Sequence, residues 1–245
     1  MSRRRADLLL VERGLFDSRA KARAAIEAGL VRAGGEAVRR ASDMIAPDAA
    51  IEAQAPHPWV SRGGVKLAAA LDAFAIEPTA KVALDCGAST GGFTQVLLAR
   101  GARRVYAVDV GRGQLHRDVA ADPRVVGLEA TDARALDRSL VPDPIDLLVA
   151  DVSFISLRLV LPPMITLLAP GATLVALIKP QFEVGKGRVG KGGVVRDPAL
   201  HDEVCEDIKA WLSAQLGWEV LGVVESPITG PAGNKEFLIG GRRGG

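Results

Sequence analysis

From Ser61 onward the chain repeats one pattern: a short apolar run, a charged residue at or just past its end, then a helical stretch. The run at 81–84 leads into Asp85, the run at 104–108 into Asp109 and the run at 145–150 into Asp151. The run at 125–128 is followed by Asp132, and the run at 172–178 ends on Lys179. Predominantly apolar runs this short suit strands buried on both faces. Helices are expected at 93–100 and 204–216, the second with Trp211 on its apolar side. Further strands at 218–224 and 236–239 complete a doubly wound α/β sheet. In such sheets ligands sit outside the carboxyl ends of the strands. The charged residues stand at those ends, so one pattern sets both the fold class and the address of the site.

Residues 1–55 follow a different pattern, that of a small α+β domain. Asp17-Ser18 is a helix N-cap signal ahead of 19–28, and Gly29 closes that helix. Gly34-Gly35 between two short apolar pairs reads as a hairpin. Residues 56–60, with Pro56 and Pro58, read as a linker, Trp59 packing at the joint. Residues 61–245 form the larger domain. Residues 1–40 hold ten Arg or Lys and five Asp or Glu, a net charge of +5; the remaining residues carry −3. A basic module ahead of a near-neutral one is the electrostatic pattern of polyanion binding.

Several classes are disfavoured. The two cysteines, Cys86 and Cys205, are too few for a disulfide framework or a four-cysteine zinc site, which points to a reducing, cytoplasmic setting. The basic start is followed by only four apolar residues before Glu12, too few for a secretory signal. Residues 159–178 carry no charge over 20 positions, long enough to span a bilayer, but Pro170-Gly171 divides them into a helix and a strand.

The chemistry begins at Asp85-Cys86-Gly87-Ala88-Ser89-Thr90-Gly91-Gly92, a glycine-rich turn between strand and helix. Its spacing matches neither the dinucleotide fingerprint nor the phosphate-binding loop. An acidic residue ahead of the glycines suits a ligand with a cationic amino-acid end, because a carboxylate attracts the ammonium. Asp109 is placed to accept ribose hydroxyls, and Asp132 to meet an adenine amino group. Lys66, Asp151, Lys179 and Glu236 form a second group. Asp151 and Lys179 end neighbouring strands, so they must lie close together. A lysine on an apolar strand is costly unless paired.

The glycine turn with its ordered acidic strand ends resembles the class I, Rossmann-like S-adenosylmethionine-dependent methyltransferases. "RADLLLVERGLFDSRAKARAAIEAGLVRAGGEAV" resembles the S4 RNA-binding module. The segments "SRGGVKL", "DCGASTGGFT", "DVSFISL", "IKPQFE" and "GNKEF" resemble the FtsJ-like ribose 2′-O-methyltransferases. Together they are similar to the TlyA family, which methylates cytidine ribose in ribosomal RNA and is sometimes labelled haemolysin. The resemblance implies that Asp85, Gly87, Ala88, Ser89, Gly91, Gly92, Phe93, Asp109, Val110, Asp132, Ala133 and Asp151 hold S-adenosylmethionine. It implies a Lys66-Asp151-Lys179-Glu236 tetrad, with neutral Lys179 as general base and the carboxylates orienting the lysines. Arg3, Arg4, Arg5, Arg19, Lys21, Arg23 and Arg62 are the expected RNA contacts. Lys186, Arg188 and Lys191 join them, from a glycine-rich loop expected to be mobile. The resemblance implies ribosomal RNA or a ribosomal subunit as the partner, and a monomeric protein is expected. In a well-known relative the linker is led by arginine, where this chain has His57-Pro58-Trp59-Val60.

No metal is expected: a sulfonium methyl is already activated, and His57, His116 and His201 lack ligand spacing. A methyltransferase acting on a base nitrogen would carry a proline-aromatic motif such as N-P-P-Y where this chain has Asp151-Val-Ser-Phe. A non-catalytic RNA-binding assembly factor would not need four charged residues at strand ends.

Overall fold

The computed structural model describes residues 2–185, 187–215, 217–230 and 233–244. They divide into two compact units, Met1–Pro58 and Trp59–Gly245.

In the first unit, β1 (Arg4–Arg5) runs into α1 (Ala6–Glu12), followed by α2 (Arg19–Glu27), β2 (Val31–Ala33), β3 (Glu36–Ala37), β4 (Met44–Ile45) and β5 (Ile51–Ala53). Ser18 caps α2 by accepting the Lys21 N–H at 3.3 Å. Strand β2 pairs antiparallel with both β3 and β5, and Gly34 and Gly35 turn the β2–β3 hairpin with positive φ. Leu10, Ala22, Ala25, Ile26 and Val31 close the small core. Asp7 is buried there and accepts from Arg5 at 3.0 Å and Arg19 at 2.7 Å.

The second unit begins with α3 (Gly63–Ala73), β6 (Val82–Cys86), α4 (Gly92–Ala99), β7 (Arg104–Val108), α5 (Arg117–Ala120) and β8 (Val125–Leu128). It continues with β9 (Ile145–Ala150), α6 (Leu157–Ile165), β10 (Leu168–Ile178), α7 (Pro180–Glu183), α8 (Pro198–Ser213), β11 (Trp218–Glu225) and β12 (Phe237–Arg243). The sheet order is β11-β12-β10-β9-β6-β7-β8. Strands β6 to β10 are parallel, and β12 runs antiparallel to both β10 and β11. The order reverses between β6 and β9, which is the switch point where a crevice opens.

Alternation along the strands builds two cores. Leu84, Cys86, Leu148, Ala150, Leu174, Ala176 and Ile178 pack on one face with Leu161 of α6 and Ile208 of α8. Ala83, Leu147, Val149, Val175 and Leu177 pack on the other with Leu67 of α3 and Leu97 of α4. Asp85 follows the parity of Ala83. Continued past the strand ends, the same parity puts Asp151, Lys179 and Glu236 on the α3 side.

Two expectations change. Pro170-Gly171 is not a turn ahead of a new strand. Leu168 already pairs with Ile145, Thr173 pairs with Leu147, and the register shifts between them, so Pro170-Gly171 bulges from within β10. Pro162 and Pro163 lie inside α6; the carbonyls they leave unclaimed belong to exposed Arg158 and Leu159. Trp59 and Val60, assigned to the linker, pack against the core shared by α3 and α4.

A β-carbon at Gly64 would lie 2.4 Å from Cγ of Trp59. Gly64→Ala adds at most about 1 kcal/mol of helix propensity and forces an overpacking cost of about 1–3 kcal/mol. The variant should melt at lower temperature with altered tryptophan emission. An unchanged melt and spectrum would contradict this packing.

Candidate active site

Two lysine–carboxylate pairs stand at the carboxyl end of the sheet. Lys179 Nζ lies 2.7 Å from Asp151 Oδ1, and Lys66 Nζ lies 2.5 Å from Glu236 Oε2. Lys66 comes from α3, which covers this face. Glu236 follows from the ladder: Ile178 pairs with Phe237, so Lys179 and Glu236 are the next positions on adjacent strands. The Glu236 side chain is 1% exposed and that of Lys66 9%. Neither ion could stay buried without the other. Gly230 makes room for this pair, because a β-carbon there would come within 2.4 Å of Glu236 Oε1.

Beside the pairs lies a cleft of about 510 Å³ at the switch point. Of the residues expected to hold a cofactor, Gly87, Ser89, Asp109, Val110, Asp132, Ala133 and Asp151 line it. Gly87 has φ +81°, and a β-carbon there would stand 2.3 Å from the Asp151 carbonyl oxygen. Glycine is therefore required where the β6 turn packs on the β9 end. Asp109 accepts the Ser89 N–H at 2.8 Å and the Gly111 N–H at 2.7 Å, which ties two loops together. Asp132 is held by Arg134 at 2.6 Å, which keeps its carboxyl at about 2.

Asp85, Ala88, Gly91, Gly92 and Phe93 do not line the cleft. Phe93 is a core residue, 3% exposed. A β-carbon at Gly91 would meet Leu115 and Val119, and one at Gly92 would meet Ser61 and Gly64, so both positions are closely packed at the start of α4. Asp85 is 0% exposed and points to the α4 side, where Oδ2 accepts from Thr94 Oγ1 at 2.6 Å. Its Oδ1 is buried with no hydrogen-bond partner among the described residues.

Sequence reading missed several residues. Gln114, Thr131, Arg134, Ser153, Phe154 and Ile155 also line the cleft. Phe154 is 90% exposed with φ +66°, a conformation that costs a bulky residue about 1–2 kcal/mol. Asn234 was within reach in "GNKEF". Its side chain donates to the Gly193 carbonyl at 2.9 Å and accepts the Val195 N–H at 3.0 Å. His201 meets the Val195 carbonyl at 2.9 Å, and Val194 and Val195 are buried. The end of the glycine-rich loop is thus anchored rather than free.

Most of the basic residues expected to contact RNA already have carboxylate partners. Arg4 pairs with Glu12, Lys21 with Asp17, Arg23 with Glu27 and Arg188 with Glu203. Exposed pairs of this kind contribute little and exchange readily for phosphate. Arg5, Arg19 and Arg23 line one concavity of about 250 Å³ around buried Asp7. Arg3, Arg62 and Lys191 are exposed. Lys186 lies outside the described residues.

Two carboxyls shift in opposite directions. Burial pushes Asp85 up from 3.8 to about 7, against the Thr94 hydrogen bond. Hydrogen bonds from Arg5, then Arg19, hold Asp7 at about 2. Asp7 therefore stabilises the fold above pH 3.8, an effect lost as pH falls toward 2. Asp85 acts in reverse: between pH 3.8 and 7 the folded chain binds its proton more tightly, so acidification relieves the burial penalty. Without ligand, Asp85→Asn should gain stability relative to the parent above pH 7 and lose that advantage by about pH 4. Thermal melts across this range measure the difference; a pH-independent one would contradict the assignment.

Comparison with known proteins agrees with the geometry. Residues 59–243 match the FtsJ-like methyltransferase family, and residues 4–51 match the S4 domain. The 16S/23S rRNA (cytidine-2′-O)-methyltransferase TlyA of Mycobacterium tuberculosis is 48% identical over 242 residues, 98% of this chain and 90% of that protein. The 23S rRNA (cytidine-2′-O)-methyltransferase TlyA of Campylobacter jejuni is 37% identical over 181 residues, 74% of this chain and 69% of that protein. A solved structure of a protein named as a hemolysin, from Streptococcus thermophilus, superposes with a TM-score of 0.77 at 38% identity, covering 100% of this chain and 90% of that one. With a parallel sheet reversing at β6 and β9, paired lysines at its carboxyl end and an S4 domain in front, this chain belongs to the FtsJ-like methyltransferase family.

Proposed function

We propose that this chain transfers a methyl group from S-adenosylmethionine to the 2′-hydroxyl of a cytidine ribose in ribosomal RNA, as a cytoplasmic monomer. The observation that carries this reading is the buried pairing of Lys179 with Asp151 and of Lys66 with Glu236 beside the cleft. A ribose hydroxyl is a poor nucleophile and needs a base where it reacts.

The residues present fit the cofactor. The cleft volume lies within the range of small-molecule sites. Asp85 Oδ1 is a buried acceptor without a partner among the described residues, suited to the ammonium end. Asp109 and Asp132 would take the ribose and adenine ends, and Gly87 the close backbone approach. When bound, S-adenosylmethionine supplies a methyl group made electrophilic by its sulfonium.

Lys179 then needs only to accept one proton, from the 2′-oxygen to Nζ. Asp151 orients the amine. Lys66, anchored by Glu236, brings a second positive charge that can hold the oxygen. Arg5, Arg19 and Arg23 would bind RNA phosphate through shape and charge rather than base identity. No described helix is long and apolar enough to cross a membrane. The Mycobacterium tuberculosis relative is named for both 16S and 23S rRNA, so both subunits are the substrates to test.

Lys179→Ala should fold, bind cofactor and lose methyl transfer by at least about 10²-fold, the lower range for general-base catalysis. Lys179→Arg should not restore it, because guanidinium stays protonated. Single-turnover assays with calorimetry of cofactor binding check both. A near-normal rate in Lys179→Arg would mean that charge alone is needed there.

A further inference from the structure

Lys179 has a second partner besides Asp151. Its Nζ donates to Ser153 Oγ at 2.8 Å. The Lys179 side chain is 10% exposed, whereas Ser153 is exposed and lines the cleft. Both partners sit on one short segment, and that segment is braced. The Asp151 N–H donates to the Cys86 carbonyl at 2.9 Å. Gly87 packs directly on the Asp151 carbonyl. Phe154, with φ +66°, turns the chain sharply just after Ser153. A bulky residue held in the left-handed region means that the surroundings over-determine the backbone there.

We propose that Ser153 is a positioning residue for Lys179, fixing the direction of its lone pair. This rests on the reading of Lys179 as the base. A neutral amine nitrogen has four tetrahedral positions: its bond to Cε, two hydrogens and one lone pair. Ser153 takes one hydrogen in a directed hydrogen bond, and the Asp151 carboxylate, 2.7 Å away as an ion pair, draws the second toward it. The lone pair is left at the one position no acceptor occupies, where the ribose hydroxyl must approach. With Asp151 alone, the amine turns about its last carbon–nitrogen bond, and the lone pair is aimed correctly for only part of the time. Ser153 accepts in this arrangement, so its own hydroxyl hydrogen remains available to water or substrate.

The test compares Ser153→Ala, Ser153→Thr, Lys179→Ala and the Ser153→Ala/Lys179→Ala double variant. Each is assayed by single turnover at saturating cofactor and ribosomal RNA, with binding constants and melts measured in parallel. Ser153→Ala should slow transfer about ten-fold, the value of one hydrogen bond that sets geometry. Affinities and melting temperature should stay at the parent level. Ser153→Thr, which keeps the hydroxyl, should restore the rate to within about two-fold. The double variant should be no slower than Lys179→Ala. A parental rate in Ser153→Ala would overturn the positioning role and leave the base reading intact. A ten-fold slowing that persists in the Lys179→Ala background would overturn it too, because Ser153 would then act independently of the amine. A parental rate in Lys179→Ala would remove the base itself, and this proposal with it.

Discussion

Lys66 and Lys179 leave water only because each meets a carboxylate delivered by the sheet. A buried ion pair roughly offsets its own desolvation, whereas either partner alone costs about 3–5 kcal/mol. The pairs therefore demand that strand ends and α3 arrive in register. Phe237 opposite Ile178 brings Glu236 beside Lys179, and α3 lowers Lys66 onto Glu236. Two-residue alternation turns these groups, with Asp85, toward the same side of the sheet. A slip of one residue in β12 would send Glu236 to the opposite face.

The neighbouring loops are built to hold this arrangement. Gly87 lets the β6 turn lie against Asp151, and Asp109 links that turn to the loop after β7. Asn234, two residues before Glu236, holds Gly193 and Val195. The glycine-rich loop and the Lys66–Glu236 pair thus share one anchor. In the first unit, Asp7 plays the corresponding role for arginines: a buried carboxylate fixes Arg5 and Arg19 on one surface. At both places a buried carboxylate sets where the cations stand.

Much of this was legible in the sequence because strand ends are marked by abrupt changes of residue type. Apolar runs that stop at Asp85, Asp109, Asp151 and Lys179 disclose the sheet and the edge that carries chemistry. Roles that depend on three-dimensional neighbours were not legible. That Leu115 stands beside Gly91, Ser61 beside Gly92 and the core around Phe93 is not written in the sequence. Pro170-Gly171 reads as a turn, yet pairing on both sides keeps it within β10. Ser153 and Asn234 stand inside the quoted segments "DVSFISL" and "GNKEF", but only their partners in space give them a role. Arg188 reads as a free cation in a basic loop, but the loop returns it to Glu203 on α8.

The paired lysines call for a methyl group on a ribose oxygen rather than on a base. The most direct measurement incubates the protein with S-adenosylmethionine and unmethylated ribosomal subunits, then cleaves the RNA with alkali. A 2′-O-methyl group removes the nucleophile for strand scission, so it leaves a gap in the cleavage ladder. A gap at a cytidine is expected, absent when Lys179→Ala replaces the parent. Methyl incorporation with an uninterrupted ladder would place the methyl on a base and rule out ribose methylation.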